Sequence, residues 1–191
     1  MKNFVNILMG LSMILLVMAC NSDDDTAPVD QGFNPELLVG SWDLVSHKLT
    51  DGFASFATIN DTITLDLEET GSNYSYTTVF LESGTIESQG SYTIQSSFFD
   101  QETGELVLST ANNFESNIFV QEGWLLYTWS LEDENLTTLV DEGQGITFDL
   151  FSRIKELTTT TLKVELDRGQ ENLSNPDVPD GGILELVYQR N

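Results

Sequence analysis

Only a few side chains of this sequence could carry chemistry on their own. His47 is the single histidine and Cys20 the single cysteine, whereas 31 aspartates and glutamates are spread along the chain. A general base needs a nucleophile and an orienting group within hydrogen-bond reach, and the spacing around His47 supplies neither. His47 also has the opposite parity to Trp42 and Leu44 in a predicted strand, so we expect it to face solvent. The sequence predicts no catalytic residue and no enzyme.

Metal and cofactor sites are equally sparse in the sequence. Because acidic residues are so numerous, the nearness of any two of them indicates only a solvated acidic surface. Asp177, Asp180 and the carbonyls of Gly181 and Gly182 form a loose oxygen cluster suited to calcium, but the spacing of an EF-hand is missing. We therefore predict no metal site and no cofactor, with calcium at this cluster as the alternative.

The most aromatic segment of the chain is Trp-Leu-Leu-Tyr-Thr-Trp, residues 124–129. Its apolar residues occupy both faces of a predicted strand, so one reading is that both faces are buried. The other reading is that one face offers an aromatic ring to a ligand at a barrel mouth or to a sugar. On the second reading the ligand-binding residues are Trp124, Tyr127 and Trp129.

The N-terminus begins with Lys2 and an apolar stretch from Phe4 to Met18, which is typical of a signal peptide. The end of this stretch and the two residues after it, Leu16-Val17-Met18-Ala19-Cys20, resemble the lipobox of bacterial lipoproteins. This resemblance implies that residues 1–19 are removed, that Cys20 carries the lipid, and that acyl chains hold the protein at a membrane.

An acidic run follows the cysteine and leads into a polar segment that we read as a flexible tether, residues 20–33. The run resembles the surface-export signal of lipoproteins in one group of diderm bacteria, which would place the protein on the cell surface of the outer membrane. The alternative is a periplasm-facing lipoprotein whose charges only keep the tether solvated. The residues of the run are Ser22, Asp23, Asp24 and Asp25.

The formal net charge of −24 restricts the partners of the protein. Such a field repels nucleic acid and favours cationic groups. A single cysteine excludes an internal disulfide, although an exported protein would be allowed one. We therefore expect no nucleic-acid function, and membrane association only through the N-terminal lipid.

Residues 34–191 show the period-two alternation of a half-buried antiparallel sheet. Asn34, Pro35 and Gly40 predict one short helical turn before it. Thr62–Glu68 is the clearest strand, followed by a predicted turn at Gly71-Ser72-Asn73, and the polar loop Asp167–Gly182 is expected to hang off one end. The pattern predicts an all-β domain of about eight to ten strands with up-and-down connections.

Gly40-Ser41-Trp42 after this turn resembles the opening of lipocalin-like domains in bacterial lipoproteins. The resemblance implies a single antiparallel β-barrel in which Gly40 allows a tight turn and Trp42 plugs the closed end. It also implies that Arg190, near the end of the last strand, stacks on the indole. Gly40, Trp42 and Arg190 are thus the predicted barrel-closing residues.

Two functions follow from these expectations. The first is a lipid-anchored outer-membrane protein whose barrel binds a small apolar or amphipathic ligand or a glycan. The second is a structural or interaction subunit whose barrel is filled by its own side chains and which docks another surface protein.

Overall fold

The computed structural model describes residues 33–59, 61–118, 126–141, 147–171 and 180–191. The compact unit that contains them runs from Gly32 to Asn191. Several predicted sites lie outside the described residues: Cys20, Ser22, Asp23, Asp24, Asp25, Trp124 and Asp177. Among the described residues, no helix is both long enough and apolar enough to span a membrane.

The predicted helical turn is a single turn of 3-10 helix, Pro35–Leu37. Asn34 precedes it, and its side-chain oxygen accepts a hydrogen bond from the backbone N–H of Glu36 at 3.0 Å. Proline at the first position has its φ preset for a helix and has no N–H to leave unsatisfied. The sequence prediction of a turn before the first strand is therefore confirmed.

The rest of the described chain is almost entirely strand, which confirms the all-β prediction. One short helix, α1, spans Arg168–Glu171. The nine strands are β1 Gly40–Ala57, β2 Thr62–Phe80, β3 Ile86–Asp100, β4 Leu106–Ile118, β5 Leu126–Glu132, β6 Asn135–Asp141, β7 Thr147–Leu157, β8 Thr161–Asp167 and β9 Asp180–Arg190.

All nine strands belong to one antiparallel sheet, in the order β4-β3-β2-β1-β9-β8-β7-β6-β5. Each strand pairs with the next one along the chain except β4 with β5, and β1 also pairs with β9, so the connections are the up-and-down ones that were predicted. The closed barrel is not what forms, because β4 and β5 stand at opposite ends of the order and share no ladder in the described chain. Besides its ladder with β6, β5 forms one isolated β-bridge in the described chain, between Thr128 and Thr85 of the β2–β3 turn.

The sheet nevertheless curls strongly around its inner face. The rings of Phe80 on β2 and Trp129 on β5 lie 6.0 Å apart, although five strands separate β2 from β5 in the sheet order. The backbone N–H of Trp129 donates to the carbonyl of Gly84 at 2.8 Å. Within the described chain, β5 therefore meets the β2–β3 turn and not β4.

The predicted turn at Gly71-Ser72-Asn73 is wrong. β2 continues through it, and the ladder with β3 only shifts register between Ser72 and Ser75. Asn73 has a φ of 53°, a left-handed conformation that asparagine tolerates better than most residues. The segment is therefore a bulge inside one long strand, because both flanks still have partners on β3.

A second bulge, in β1, overturns the predicted orientation of His47. The β1–β9 register shifts between Leu44 and Ser46. Trp42 and Leu44 are buried before the shift, whereas His47 and Leu49 are buried after it. One extra residue reverses the alternation of faces, so His47 points to the inner face and not to solvent.

The inner face carries two separate apolar clusters. The larger one is centred on Trp42 and includes Leu38, Phe80, Leu136, Ile154, Leu157, Leu162 and Val164. The smaller one consists of Leu49, Ala54 and Leu67, with Phe98 and Leu184 packed against it. His47 lies on β1 between the two clusters, so the interior changes from apolar to polar and back along one strand.

Candidate ligand-binding site

Gly40, Trp42 and Arg190 meet at one end of the sheet, which we call the Trp42 end. Trp42 is fully buried, and its indole N–H donates to the carbonyl of Leu38 at 2.7 Å. The guanidinium carbon of Arg190 lies 4.5 Å from the centroid of the indole ring, a cation–π distance. Gly40 has a φ of 137°, and a Cβ there would lie 2.9 Å from Nη1 of Arg190. The three residues therefore pack together at this end of the sheet, and their role in closing a barrel stays a prediction.

Trp129 also belongs to the Trp42 end. Its indole N–H donates to the carbonyl of Leu81 at 3.2 Å, and its ring meets the edge of Phe80. Tyr127, two residues earlier, is half-buried. Their role as ligand-binding residues remains a prediction, and the contacts of Trp129 are those of a packed core residue.

A polar cluster, the His47–Glu69 site, lies beyond the Trp42 cluster on the inner face. We define it as His47, Glu69, Tyr92, Ser96 and Arg168. Only 5 % of the surface of His47 is exposed. Its Nδ1 lies 3.3 Å from the hydroxyl of Tyr92, and its Nε2 lies 3.6 Å from Oε2 of Glu69. The histidine is thus held between a tyrosine of β3 and a carboxylate of β2.

Glu69 is the centre of this site. Ser96 donates its hydroxyl to Oε1 at 3.1 Å, and Arg168 donates from Nη1 to Oε2 at 2.8 Å. Burial raises the pKa of Glu69, but the nearby ring of His47, the charge and hydrogen bond of Arg168 and the hydrogen bond of Ser96 together hold it below its ordinary value. Glu69 is therefore ionised at neutral pH and balances the guanidinium charge.

Arg168 reaches the site from the first residue of α1, just after β8. Its Nη2 lies 3.7 Å from Oδ2 of Asp180 at the start of β9. Sequence reasoning missed this residue, because it placed the whole segment Asp167–Gly182 in a loop hanging off the domain. Instead, Arg168 reaches from the end of β8 to Glu69 on β2 and to Asp180 at the start of β9.

Tyr92 lies at the centre of an aromatic group on the same face. Its ring stacks on Tyr74 with centroids 5.9 Å apart and lies 5.0 Å from the ring of Phe114. Burial, and then the neighbouring Tyr76, Tyr74 and Glu69, raise the pKa of Tyr92 well above its ordinary value. Tyr92 therefore keeps its proton and offers a neutral hydroxyl to His47.

Gly71 makes this aromatic arrangement possible. A Cβ at Gly71 would lie 2.3 Å from the hydroxyl of Tyr74 and 2.8 Å from Cβ of His47. The same hydroxyl accepts the backbone N–H of His47 at 2.9 Å. The tyrosine thus satisfies the backbone group that the β1 bulge takes out of the ladder, and only glycine leaves it room.

An apolar rim lies beyond the His47–Glu69 site, at the end opposite Trp42. We define it as Phe56, Ile63, Phe98 and Leu108. Phe56 pairs with Ile63, Phe98 pairs with Leu108, and the rings of Phe56 and Phe98 are 5.7 Å apart. Phe56, Ile63 and Leu108 are each exposed to between 42 and 51 %. Apolar side chains on the inner face therefore stay open to solvent beyond the smaller apolar cluster, against which Phe98 packs.

Three surface depressions of the described chain lie elsewhere: one beside Asp43 and Tyr74, one beside Phe151 and Arg153, and one beside Gln89 and Glu115. None of the three includes a residue of the His47–Glu69 site. Within the described ranges, no group of three or more histidine, cysteine or acidic side chains is placed to hold a metal. Asp180 of the calcium candidate faces Arg168.

The comparisons with known proteins give no relative. No protein-family model, no curated protein and no solved structure matches this chain. The described residues define a protein with one curled, open antiparallel sheet of nine strands and a polar site on its inner face.

Proposed function

We propose that this protein is an exported, lipid-anchored binding protein with a lipocalin-like domain. The ligand is a small amphipathic molecule, such as a lipid-like alcohol or a glycolipid. Its polar part binds at the His47–Glu69 site, and its apolar part lies against the apolar rim. Binding, and not catalysis, is the role of the interior residues.

The observation that carries the proposal is Nε2 of His47, which is buried and has no hydrogen-bond partner among the described residues. Leaving a buried polar group unsatisfied costs about 1–3 kcal/mol. Glu69 is too distant, at 3.6 Å, to form a normal hydrogen bond with it. A hydroxyl group of a ligand could satisfy this nitrogen and would be held there by the neighbouring carboxylate.

The apolar rim supplies the second half of the argument. Burying apolar surface contributes about 25 cal/mol per Å², so covering the exposed parts of Phe56, Ile63 and Leu108 would favour a ligand with an alkyl chain. The rim and His47 lie on the same face of the sheet. One amphipathic molecule could therefore contact both.

Calorimetric titration with n-octyl β-D-glucoside below its micelle concentration tests this proposal. The probe combines a sugar with an apolar chain. We expect saturable binding, weakened at least fivefold by Ile63→Ser. Phe151→Ser is the matched control. Phe151 is 55 % exposed, but it lies on β7 beside the depression that it shares with Arg153, away from the His47–Glu69 site. Absence of binding, or equal loss in both variants, would contradict the proposal.

A second candidate is a structural subunit that docks another surface protein. The filled Trp42 cluster favours it, because the eight buried residues of this cluster leave that part of the interior occupied by side chains of the protein. In this case the octyl glucoside titration would give no saturable heat. Association with a cationic partner would instead weaken at high salt.

A further inference from the structure

In the part of the sheet that the structure describes, β4 is an edge strand that pairs along one side. It pairs with β3 from Ser88↔Ile118 to Phe99↔Leu106. Along its other side, no strand of the described chain forms a ladder with it. The opposite edge, β5, is shorter and is partly covered by the contacts of Thr128 and Trp129 with the β2–β3 turn. The backbone groups of β4 are therefore the main open edge of the described sheet.

The sequence of β4 does little to protect this edge. Natural edge strands are commonly guarded by lysine, proline or inward-pointing charges. β4 contains no lysine, arginine or proline, and its one charged residue is Glu115, in a chain with 31 acidic residues. Leu106, Val107 and Leu108 follow one another with 58, 57 and 49 % exposure. The strand is thus the part of the acidic surface best suited to pair with another strand.

We infer that β4 pairs antiparallel with β4 of a second copy of this chain, across a two-fold axis near Ala111. This axis would place Leu108 of each copy opposite Phe114 of the other copy. Both side chains lie on the inner face, since Leu108 pairs with Phe98 and Phe114 pairs with Tyr92. Phe114 is 40 % exposed although its ring contacts Tyr92. The pairing would cover these two apolar side chains in both copies.

Charge favours the antiparallel arrangement over a parallel one. A parallel pairing in register would place each Glu115 beside the Glu115 of the second copy. Around an axis at Ala111, Glu115 instead lies opposite Val107. A two-fold contact also uses the same strand on both sides, so it closes after two copies. The product is a continuous sheet that crosses the dimer.

The net charge sets the conditions under which this dimer forms. Two copies carrying a charge of −24 each repel one another, and salt screens that repulsion. Backbone hydrogen bonds and apolar contacts at β4 are little affected by salt. The dimer is therefore stronger at moderate ionic strength than at low ionic strength, opposite to an interface between unlike charges.

Sedimentation velocity of the full chain from 1 to 300 μM tests the inference. We expect a monomer–dimer equilibrium whose association constant rises between 20 and 300 mM NaCl. Leu108→Glu should weaken it at least tenfold. Leu139→Glu is the matched control, because it adds the same charge at an exposed leucine of β6. A monomer at 300 μM in 300 mM NaCl, or equal effects of the two variants, would overturn the inference.

Disulfide formation tests the register. In a Cys20→Ser background, Ala111→Cys places one thiol next to the two-fold axis. Directly opposed residues of antiparallel strands lie about 4.5–5.5 Å apart, within the range of a disulfide. Ala111→Cys should therefore oxidise to a covalent dimer, whereas Thr70→Cys, at an exposed position of β2, should not. Equal cross-linking of both variants would contradict the proposed pairing.

Discussion

The Trp42 end and the His47–Glu69 site lie on the same face of β1, only five positions apart, yet they are built in opposite ways. At the Trp42 end the indole N–H is satisfied by Leu38, and the other buried neighbours are aliphatic or aromatic. At the His47–Glu69 site a buried ring nitrogen has no hydrogen-bond partner in the described part of the chain, and a carboxylate pairs with a guanidinium beside it.

If the proposed function holds, this difference means that β1 contributes to stability at one end and to binding at the other. Apolar burial stabilises the fold, whereas a buried polar group that is only partly satisfied costs stability and is retained where it contributes to binding. The bulge between Leu44 and Ser46 separates the two regions, because it reverses which residues face inward. We therefore expect substitutions at the Trp42 end to affect stability most, and those near the apolar rim to affect binding most.

The largest effect should come from Trp42→Ala. Removing a fully buried aromatic side chain costs about 3–5 kcal/mol, and the bond to Leu38 is lost as well. Urea denaturation followed by circular dichroism would measure the free energy of unfolding. Trp42→Phe is the control, since it keeps most of the apolar volume and should cost less than half as much. A loss below 1 kcal/mol for Trp42→Ala would contradict the view that the Trp42 end stabilises the fold most.

Glu69→Gln should have the next largest effect, about 1–3 kcal/mol at pH 7, because it leaves Arg168 and His47 without their carboxylate. The pKa of Glu69 is lowered in the folded state, so its contribution is present above its ordinary value of 4.5 and is lost as pH falls through the folded pKa. The wild type should therefore lose more stability than Glu69→Gln between pH 6 and 3. Parallel pH profiles for the two proteins would contradict this assignment.

Arg190→Ala should cost about 1 kcal/mol. The substitution removes the cation–π contact with Trp42 and the hydrogen bonds to the carbonyls of Val39 and Leu37. Arg190→Lys keeps a charge but not the planar guanidinium, so it should recover only part of the loss. Thermal unfolding of the two variants and the wild type would measure the difference. An Arg190→Lys variant as stable as the wild type would show that the charge alone is sufficient.

The smallest stability effect is expected at the apolar rim. Ile63→Ser removes an apolar side chain that is already 51 % exposed, so the free energy of unfolding should change by less than about 0.5 kcal/mol. The same substitution should weaken octyl glucoside binding, which separates the two roles. A rim substitution as costly as Trp42→Ala would mean that the rim is part of the core.

The Trp42 end was predictable from the sequence, whereas the His47–Glu69 site was not. The contact of Arg190 with Trp42 was expected from the resemblance to lipocalin-like domains, and the parity of Arg190 with Leu184 and Leu186 selected the residue. His47 was placed on the wrong face because simple alternation does not include a bulge. One signal was present: the apolar positions change from even at Trp42 and Leu44 to odd at Leu49.

Long-range contacts explain the remaining differences. The turn predicted at Gly71-Ser72-Asn73 has typical turn residues, but pairing on β3 keeps the strand continuous. Arg168 lies 99 residues from Glu69 in the chain, and no local pattern reports such a contact. The contact of β5 with the β2–β3 turn is likewise made between residues far apart in the chain, Trp129 and Gly84.

The most direct test of the binding proposal uses the single histidine of the chain as a probe. A two-dimensional proton–carbon NMR spectrum of the full chain should show one pair of ring signals for His47, and octyl glucoside would be titrated into it. We predict that these signals shift and saturate at the same concentration as the calorimetric heat. Signals that stay fixed while the heat saturates would place the ligand elsewhere and contradict the proposed site.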